Sequence, residues 1–126
     1  PVSRQCIPDV RTFFDYLQSY IPLSEIPELE DCMGDTEGGV TLLWETEVDP
    51  EDVTYDSFYV NFKGDDTITY QGKIESIGTE VWGETPLEPD LHLDIIEHIK
   101  FFQRKQDEQR KVQEPTAPEL NSNKCL

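Results

Sequence analysis

The sequence predicts an α+β domain in which an N-terminal and a C-terminal helix cover one face of a four-stranded antiparallel meander sheet. Residues 55 to 71 alternate apolar and polar side chains on either side of Gly64-Asp65-Asp66, which is the pattern of an antiparallel hairpin. One amphipathic helical stretch precedes this hairpin and another follows it. Because a sheet with one apolar face must bury that face, we expect both helices on the same side of it.

The first predicted helix runs from about Pro8 to Tyr20. Pro8 suits a first helical position, and Asp9 suits the positive end of the helix dipole. Apolar side chains recur at three- and four-residue spacing, which predicts one buried stripe. The stripe consists of Val10, Phe13, Phe14, Leu17 and Ile21.

The acidic run from Glu30 to Gly39 contains three glycines, which predicts an exposed loop. Asp31, Asp35 and Glu37 carry oxygen ligands that suit calcium. The order of acids and glycine that an EF-hand loop requires is absent. We therefore predict no metal site in this loop.

Four strands are predicted, beginning with Val40 to Val48 and continuing through the two strands of the central hairpin. Gly72, in the second hairpin strand, indicates a bulge or a close approach of the backbone. The fourth strand spans Thr79 to Thr85, and its Val81 and Trp82 point to opposite faces. Trp82 therefore either packs beneath the last helix or is an exposed aromatic of the kind enriched at binding hot spots.

The last helix is predicted to begin at Pro89-Asp90, and its apolar stripe ends at Phe102. Residues 103–112 have no apolar stripe, which predicts a solvated helical extension. Residues 113–126 have the composition of a disordered tail. We therefore expect one compact domain spanning residues 1–112.

The net charge of −17 arises from 27 acidic and 10 basic residues, and its distribution is uneven. Between Asp15 and Asp66 there are fifteen acidic residues and one basic residue, Lys63. Such a field repels nucleic acid and anionic membranes, and it attracts basic surfaces. We expect a basic protein partner, with no direct contact to nucleic acid or membrane. The alternative is a solvated acidic face that serves solubility alone.

The cysteine pattern predicts a reducing compartment. Cys6, Cys32 and Cys125 have no paired spacing, and their odd number argues against a disulfide framework. No stretch approaches the ~20 apolar residues of a membrane span, and the first residues lack the pattern of a signal peptide. We expect a soluble cytoplasmic domain, whose oligomeric state the sequence leaves open.

The sequence predicts no catalytic residue, no cofactor and no enzyme activity. His92 and His98 are six residues apart on one helix, so they point to different faces and cannot share a metal ion. No nucleophile lies in a recognised catalytic context, and no glycine-rich phosphate loop is present. An active site assembled in space around His98 and neighbouring acids is the alternative that sequence order leaves open.

The predicted function is that of an acidic protein-binding module: an inhibitor, an antitoxin-like protein or an adaptor. Carboxylates on strands and loops can imitate a phosphate backbone, so a nucleic-acid-binding protein is one suitable basic partner. The likeness to small phage inhibitors and to some antitoxin or immunity proteins is one of charge and size only. The alternative is an assembly subunit that uses the sheet edge, Trp82 or the C-terminal helix. The predicted partner-binding residues are Glu28, Glu30, Asp31, Asp35, Glu37, Glu45, Glu47, Glu51, Asp52, Asp56 and Trp82.

Overall fold

The computed structural model describes residues 6–113, with side chains as far as residue 111. Its described part is an α+β fold of two α-helices and five antiparallel strands, which confirms the predicted class. Apart from residue 113, which ends the second helix, the predicted tail of residues 113–126 lies outside the described residues. The elements in chain order are α1 (Cys6–Leu17), a 3-10 turn (Leu23–Glu25), β1 (Asp31–Gly34), β2 (Val40–Asp49), β3 (Thr54–Phe62), β4 (Thr67–Ile74), β5 (Thr79–Pro86) and α2 (Leu93–Gln113).

The sheet is a meander in the order β1-β2-β3-β4-β5, with each strand antiparallel to the next. The prediction of four strands missed β1, which forms within the run expected to be a loop. The Asp35 carboxylate accepts the backbone N–H groups of Glu37 at 2.9 Å and Gly39 at 2.7 Å. These bonds close a tight turn that folds β1 back onto β2. Because β1 is short and largely exposed, it has no apolar alternation that sequence reading could detect.

The β3–β4 hairpin has the predicted turn. Gly64 adopts a φ of 84° and Asp66 a φ of 63°, so the chain reverses through left-handed backbone conformations. The Asp65 carboxylate accepts both the backbone N–H and the hydroxyl of Thr67, the latter at 2.6 Å. The turn therefore depends on its glycine and on a local side-chain hydrogen bond.

Gly72 in β4 marks a close approach and not a bulge. It pairs in regular register with Phe58 of β3. A Cβ atom at this position would lie 2.8 Å from both His98 Cδ2 and Phe58 Cδ1. Gly72 therefore makes room for the His98 ring, which stacks on Phe58 with ring centroids 5.1 Å apart. The irregularity in the sheet lies in β2, between Glu47 and Asp49.

Both helices pack on the same face of the sheet, as predicted. Phe13 of α1 contacts Phe62 of β3 with ring centroids 5.4 Å apart, and His98 of α2 stacks on Phe58 of the same strand. Phe58 and Phe62 point to one face because strand side chains alternate. Other buried side chains of this core are Val10, Phe14, Leu17, Leu42, Trp44, Val60, Ile68, Ile74, Ile95, Ile99 and Phe102.

The helix ends differ from the predicted ones by a few residues. α1 begins at Cys6, before Pro8, and ends at Leu17. The Cys6 thiol is fully buried and lies 3.3 Å from the carbonyl oxygen of Phe62, so a tertiary contact fixes the start of the helix. α2 begins at Leu93, after the predicted start at Pro89-Asp90.

The second half of α2 is held against the rest of the domain by glutamines. The side-chain amide of Gln106 accepts the N–H of Glu28 at 2.8 Å and donates to the carbonyl of the same residue at 2.9 Å. Gln109 donates to the hydroxyl of Thr46 at 3.0 Å. This arrangement differs from the predicted solvated extension, because polar side chains replace the missing apolar stripe. Gln103 also donates to the Glu25 carboxylate at 3.3 Å, and we call the set Gln103, Gln106 and Gln109 the glutamine seam.

The described cysteines have different states. Cys6 is a thiol outside any disulfide bond, whereas Cys32 is disulfide-bonded. The argument against disulfides from the odd number of cysteines is therefore wrong for Cys32. An odd number excludes the pairing of every cysteine, but it leaves room for one bond.

Candidate functional site

The sheet face opposite the helices, which we call the open face, carries the candidate site. Because strand side chains alternate, every residue beside a core position points to this face. Its side chains are half-buried or exposed where those of the helix face are mostly buried. The open-face residues used below are Asp31, Leu43, Glu45, Glu47, Tyr59, Gln71, Lys73, Glu80, Trp82 and Glu84.

A row of five side chains crosses the middle of the open face, one from each strand. The strand register places Asp31, Leu43, Tyr59, Gln71 and Trp82 side by side in that order. Strands lie about 4.8 Å apart, so this central row spans about 19 Å. The Tyr59 hydroxyl donates to the side-chain oxygen of Gln71 at 2.7 Å. Two aromatics beside a leucine and an amide form a composition typical of the centre of a protein interface.

Trp82 is 71% exposed on β5, at one end of the central row. Val81 occupies the inward position instead, because it pairs with Gly72 on the helix face of the sheet. The alternative that packed Trp82 beneath the last helix is therefore wrong. In the described part of the chain, no residue covers most of the Trp82 side chain, which leaves it exposed to solvent.

Four carboxylates flank the central row. Glu45 and Glu47 project from β2, and Glu80 and Glu84 project from β5. Lys73 is the one base on the open face of the five described strands, and Lys63, directly after β3, places its ammonium 4.0 Å from the Glu84 carboxylate. The acids still outnumber these two bases. The field over the aromatic row is therefore negative, and a basic surface is its electrostatic complement.

The carboxylate of Glu45 is in an unfavourable environment for its charge. Burial raises its pKa, and the negative charge of Glu30 raises it further. Both effects disfavour the ionised carboxylate, whereas a cation placed nearby would favour it and lower its pKa. The raised pKa of Glu45 thus marks a region of negative potential beside Glu30.

The structure brings four of the predicted partner-binding residues together on the open face: Asp31, Glu45, Glu47 and Trp82. The remaining exposed or half-exposed acids lie outside the open face, in the segment before β1 and in the β1–β2 and β2–β3 turns: Glu28, Glu30, Asp35, Glu37, Glu51 and Asp52. The backbone of Glu28 lies against α2 on the helix side of the sheet, where it bonds to Gln106. The Asp35 carboxylate accepts hydrogen bonds within its own turn, and the bond from the Gly39 N–H is the largest cause that lowers its pKa.

Asp56 was predicted to bind a partner, and this prediction is wrong. Its side chain is 2% exposed and points to the helix face, at an inward position of β3 like Phe58. The carboxylate accepts the backbone N–H of Ser76 at 3.1 Å and the Ser76 hydroxyl at 2.9 Å. Asp56 therefore ties the β4–β5 turn to β3.

Sequence reasoning did not include Leu43, Tyr59, Glu80 and Glu84 in the candidate site. Each lies at an outward position of a predicted strand. The alternation within one strand shows which way a side chain points, but it does not show which residues of neighbouring strands lie beside it. Leu43 carried a signal, since it is an apolar residue on an otherwise polar face of β2. Its place in the central row explains that break in the alternation.

A second cluster of titratable side chains joins β4 to the start of α2. The Tyr70 hydroxyl donates to the Asp94 carboxylate at 3.1 Å, and His92 Nδ1 accepts the Asp94 N–H at 3.1 Å. His98 Nδ1 donates to the Asp94 carbonyl at 2.7 Å. Burial, followed by the bond to Asp94, raises the pKa of Tyr70, which makes it a weaker acid. The cluster holds the start of α2 against the sheet. Because its pKa is raised further above neutral, the Tyr70 hydroxyl does not suit proton transfer near neutral pH.

The two histidines do not come together as metal ligands. In the described part of the chain, no three His, Cys, Asp or Glu side chains are grouped so that they could hold a metal ion.

Among residues 6–113, no helix has both the length and the apolar character needed to cross a membrane. The chain matches no family model, and comparison with curated proteins and with solved structures likewise returns no match.

Proposed function

We propose that the chain is an acidic protein-binding module whose open face engages a basic protein partner. The observation that carries the proposal is the central row, which sets Tyr59 and exposed Trp82 among carboxylates that outnumber the neighbouring bases, Lys63 and Lys73. Tyrosine and tryptophan are enriched at binding hot spots, and complementary charge accelerates association. The roles that fit such a module are inhibitor, antitoxin-like protein and adaptor.

The chemistry of the face defines the partner further. Arginine or lysine can lay its aliphatic stem and its charge on the Trp82 ring, since indole is the strongest of the aromatic partners for cations. A second basic side chain, three strands away at β2, would relieve the unfavourable charge of Glu45. A nucleic-acid-binding protein is one candidate, because its own site is built to hold phosphate charges.

The second candidate function is that of an assembly subunit, which is favoured by exposed Trp82 and by the side of β5 that no described strand covers. In that case apolar contacts would dominate, and binding would persist in high salt.

A cytoplasmic location stays a prediction. The disulfide at Cys32 favours an oxidising compartment instead, because disulfides persist there.

Affinity capture from an extract of the source cells tests the proposal with two matched variants. The open-face variant combines Glu47→Lys, Glu80→Lys and Glu84→Lys. The control variant combines Asp15→Lys, Glu88→Lys and Asp107→Lys, which are exposed positions away from the open face. Both variants change the net charge equally, so they separate a local surface from the overall field.

We expect a basic protein that the wild type and the control variant retain in low salt, and that the open-face variant loses. High salt should release it from the wild type. Equal loss from both variants would show that the overall field alone attracts it. Retention by the open-face variant in high salt would favour the assembly function.

A further inference from the structure

β5 forms one side of the sheet, and in the described part of the chain no further strand pairs with its outer edge. Its eight residues make it the longer of the two edge strands, since β1 has four. Backbone N–H and C=O groups along an unpaired edge are a template for another extended chain. β5 therefore has the backbone groups needed to accept a strand.

A groove of about 480 Å³ lies between β5 and α2 on the helix face of the sheet. Its apolar part is formed by Val81 of β5, Phe101 of α2, and Ile74 and Ile77 from the end of β4 and the turn that follows. Polar and charged side chains of α2 complete the lining: Asp94, Glu97, His98, Lys100 and Arg104. An extended chain placed beside β5 would direct every second side chain towards this groove, where apolar side chains would pack on the part nearest β5.

The other side chains of such a strand would face the opposite way. They would lie beside the outward residues of β5, which are Glu80, Trp82 and Glu84. Opposite charges on neighbouring strands stabilise a sheet, whereas like charges destabilise it. Lysine or arginine at these positions would match both the carboxylates and the indole ring.

We propose that β5 accepts an extended segment of the basic partner as a sixth strand, with apolar residues in the groove and basic residues on the open face. This inference rests on the proposed function, and it names the part of the partner that is bound. Strand addition of this kind combines affinity from backbone hydrogen bonds with specificity from alternate side chains.

A second copy of the chain is a poor occupant of the same edge. Glu80 and Glu84 of one molecule would meet the same acids of another, and both molecules carry a net charge of −17. Charged residues on edge strands are a common protection against self-pairing. The acids that exclude a second copy are the ones that attract a basic strand.

Three synthetic peptides test the proposal on the full chain. The first alternates four lysines with four valines, and the second has the same composition in two blocks. The third has the alternating sequence with every backbone nitrogen methylated, so it keeps its charge and apolar side chains but cannot donate backbone hydrogen bonds. Binding is measured by fluorescence anisotropy, and amide hydrogen exchange locates the bound peptide.

We expect the alternating peptide to bind at least about tenfold more tightly than either of the others. The methylated peptide loses several backbone hydrogen bonds, and the block peptide directs lysines into the groove and valines beside the carboxylates. Amide exchange within residues 79–86 should slow on binding, and exchange within residues 31–34 should not. Equal binding of all three peptides would overturn the sixth strand and leave the charge-based proposed function intact. Failure of the alternating peptide to bind would also overturn the sixth strand, and the capture experiment would then judge the open face by itself.

Discussion

At the scale of single residues, the direction of a side chain decides what an acid does. Asp56 and Glu45 belong to neighbouring strands, yet one is 2% exposed and bonded to Ser76, whereas the other faces outward. The alternation of β3 could be predicted from the sequence and already placed Asp56 on the inward side with Phe58. The burial of Asp56 could not be predicted from the sequence, because the hydrogen bonds that stabilise its buried carboxylate come from Ser76, which lies in a turn 20 residues later.

We predict that Glu45→Gln increases the free energy of unfolding near neutral pH. Burial and the charge of Glu30 raise the pKa of Glu45 in the folded state above its ordinary value of 4.5, so ionisation opposes folding. The fold gains relative stability as pH falls through the raised pKa. The advantage of glutamine should therefore be present above that pKa and vanish below the ordinary value.

Urea midpoints for wild type and Glu45→Gln at about pH 7 and about pH 3 measure this difference. Glu47→Gln, at the next outward position of β2, is the control and should change the midpoint little. A lower midpoint for Glu45→Gln at neutral pH would contradict the account, as would an advantage that persists in acid.

At the scale of elements, predictability followed the presence of an apolar repeat. The central hairpin and both helices have such repeats, and the structure contains all of them. β1 has none, because one half-buried side chain, that of Cys32, is all that it contributes inward. The glutamine seam could not be predicted for the same reason: Gln103, Gln106 and Gln109 resemble a solvated helix until their partners are known.

Gln106→Ala should lower the free energy of unfolding by about 1–3 kcal/mol, because two hydrogen bonds to the backbone of Glu28 are lost at about 0.5–1.5 kcal/mol each. Gln109→Ala is the matched control, since it removes one exposed bond to Thr46 and should cost less. Urea unfolding of the two variants gives the comparison. If Gln109→Ala proves as costly as Gln106→Ala, the seam does not hold α2 in the way described.

At the scale of the whole molecule, the fold redistributes the charge that the sequence contains. The acidic stretch from Asp15 to Asp66 predicted a negative surface, but the open face also draws Glu80 and Glu84 from beyond it. Strand pairing then sets these acids around Tyr59 and Trp82. The negative sign of the surface could be predicted from composition, whereas the arrangement of the acids around the aromatic side chains required the register of all five strands.

The central claim is that Trp82 is exposed to solvent, in a negative field, in the complete chain. Quenching of tryptophan fluorescence by caesium and iodide ions measures this directly, because a negative field concentrates the cation and excludes the anion. Trp44, the second tryptophan, is fully buried, with Nε1 donating to the Pro27 carbonyl at 3.1 Å, so it should remain unquenched. Each ion is compared with its quenching of N-acetyltryptophanamide, and Trp82→Phe supplies the control. We expect caesium to quench relatively better than iodide and Trp82→Phe to abolish both effects; relatively better quenching by iodide, or no quenching by either ion, would contradict the account.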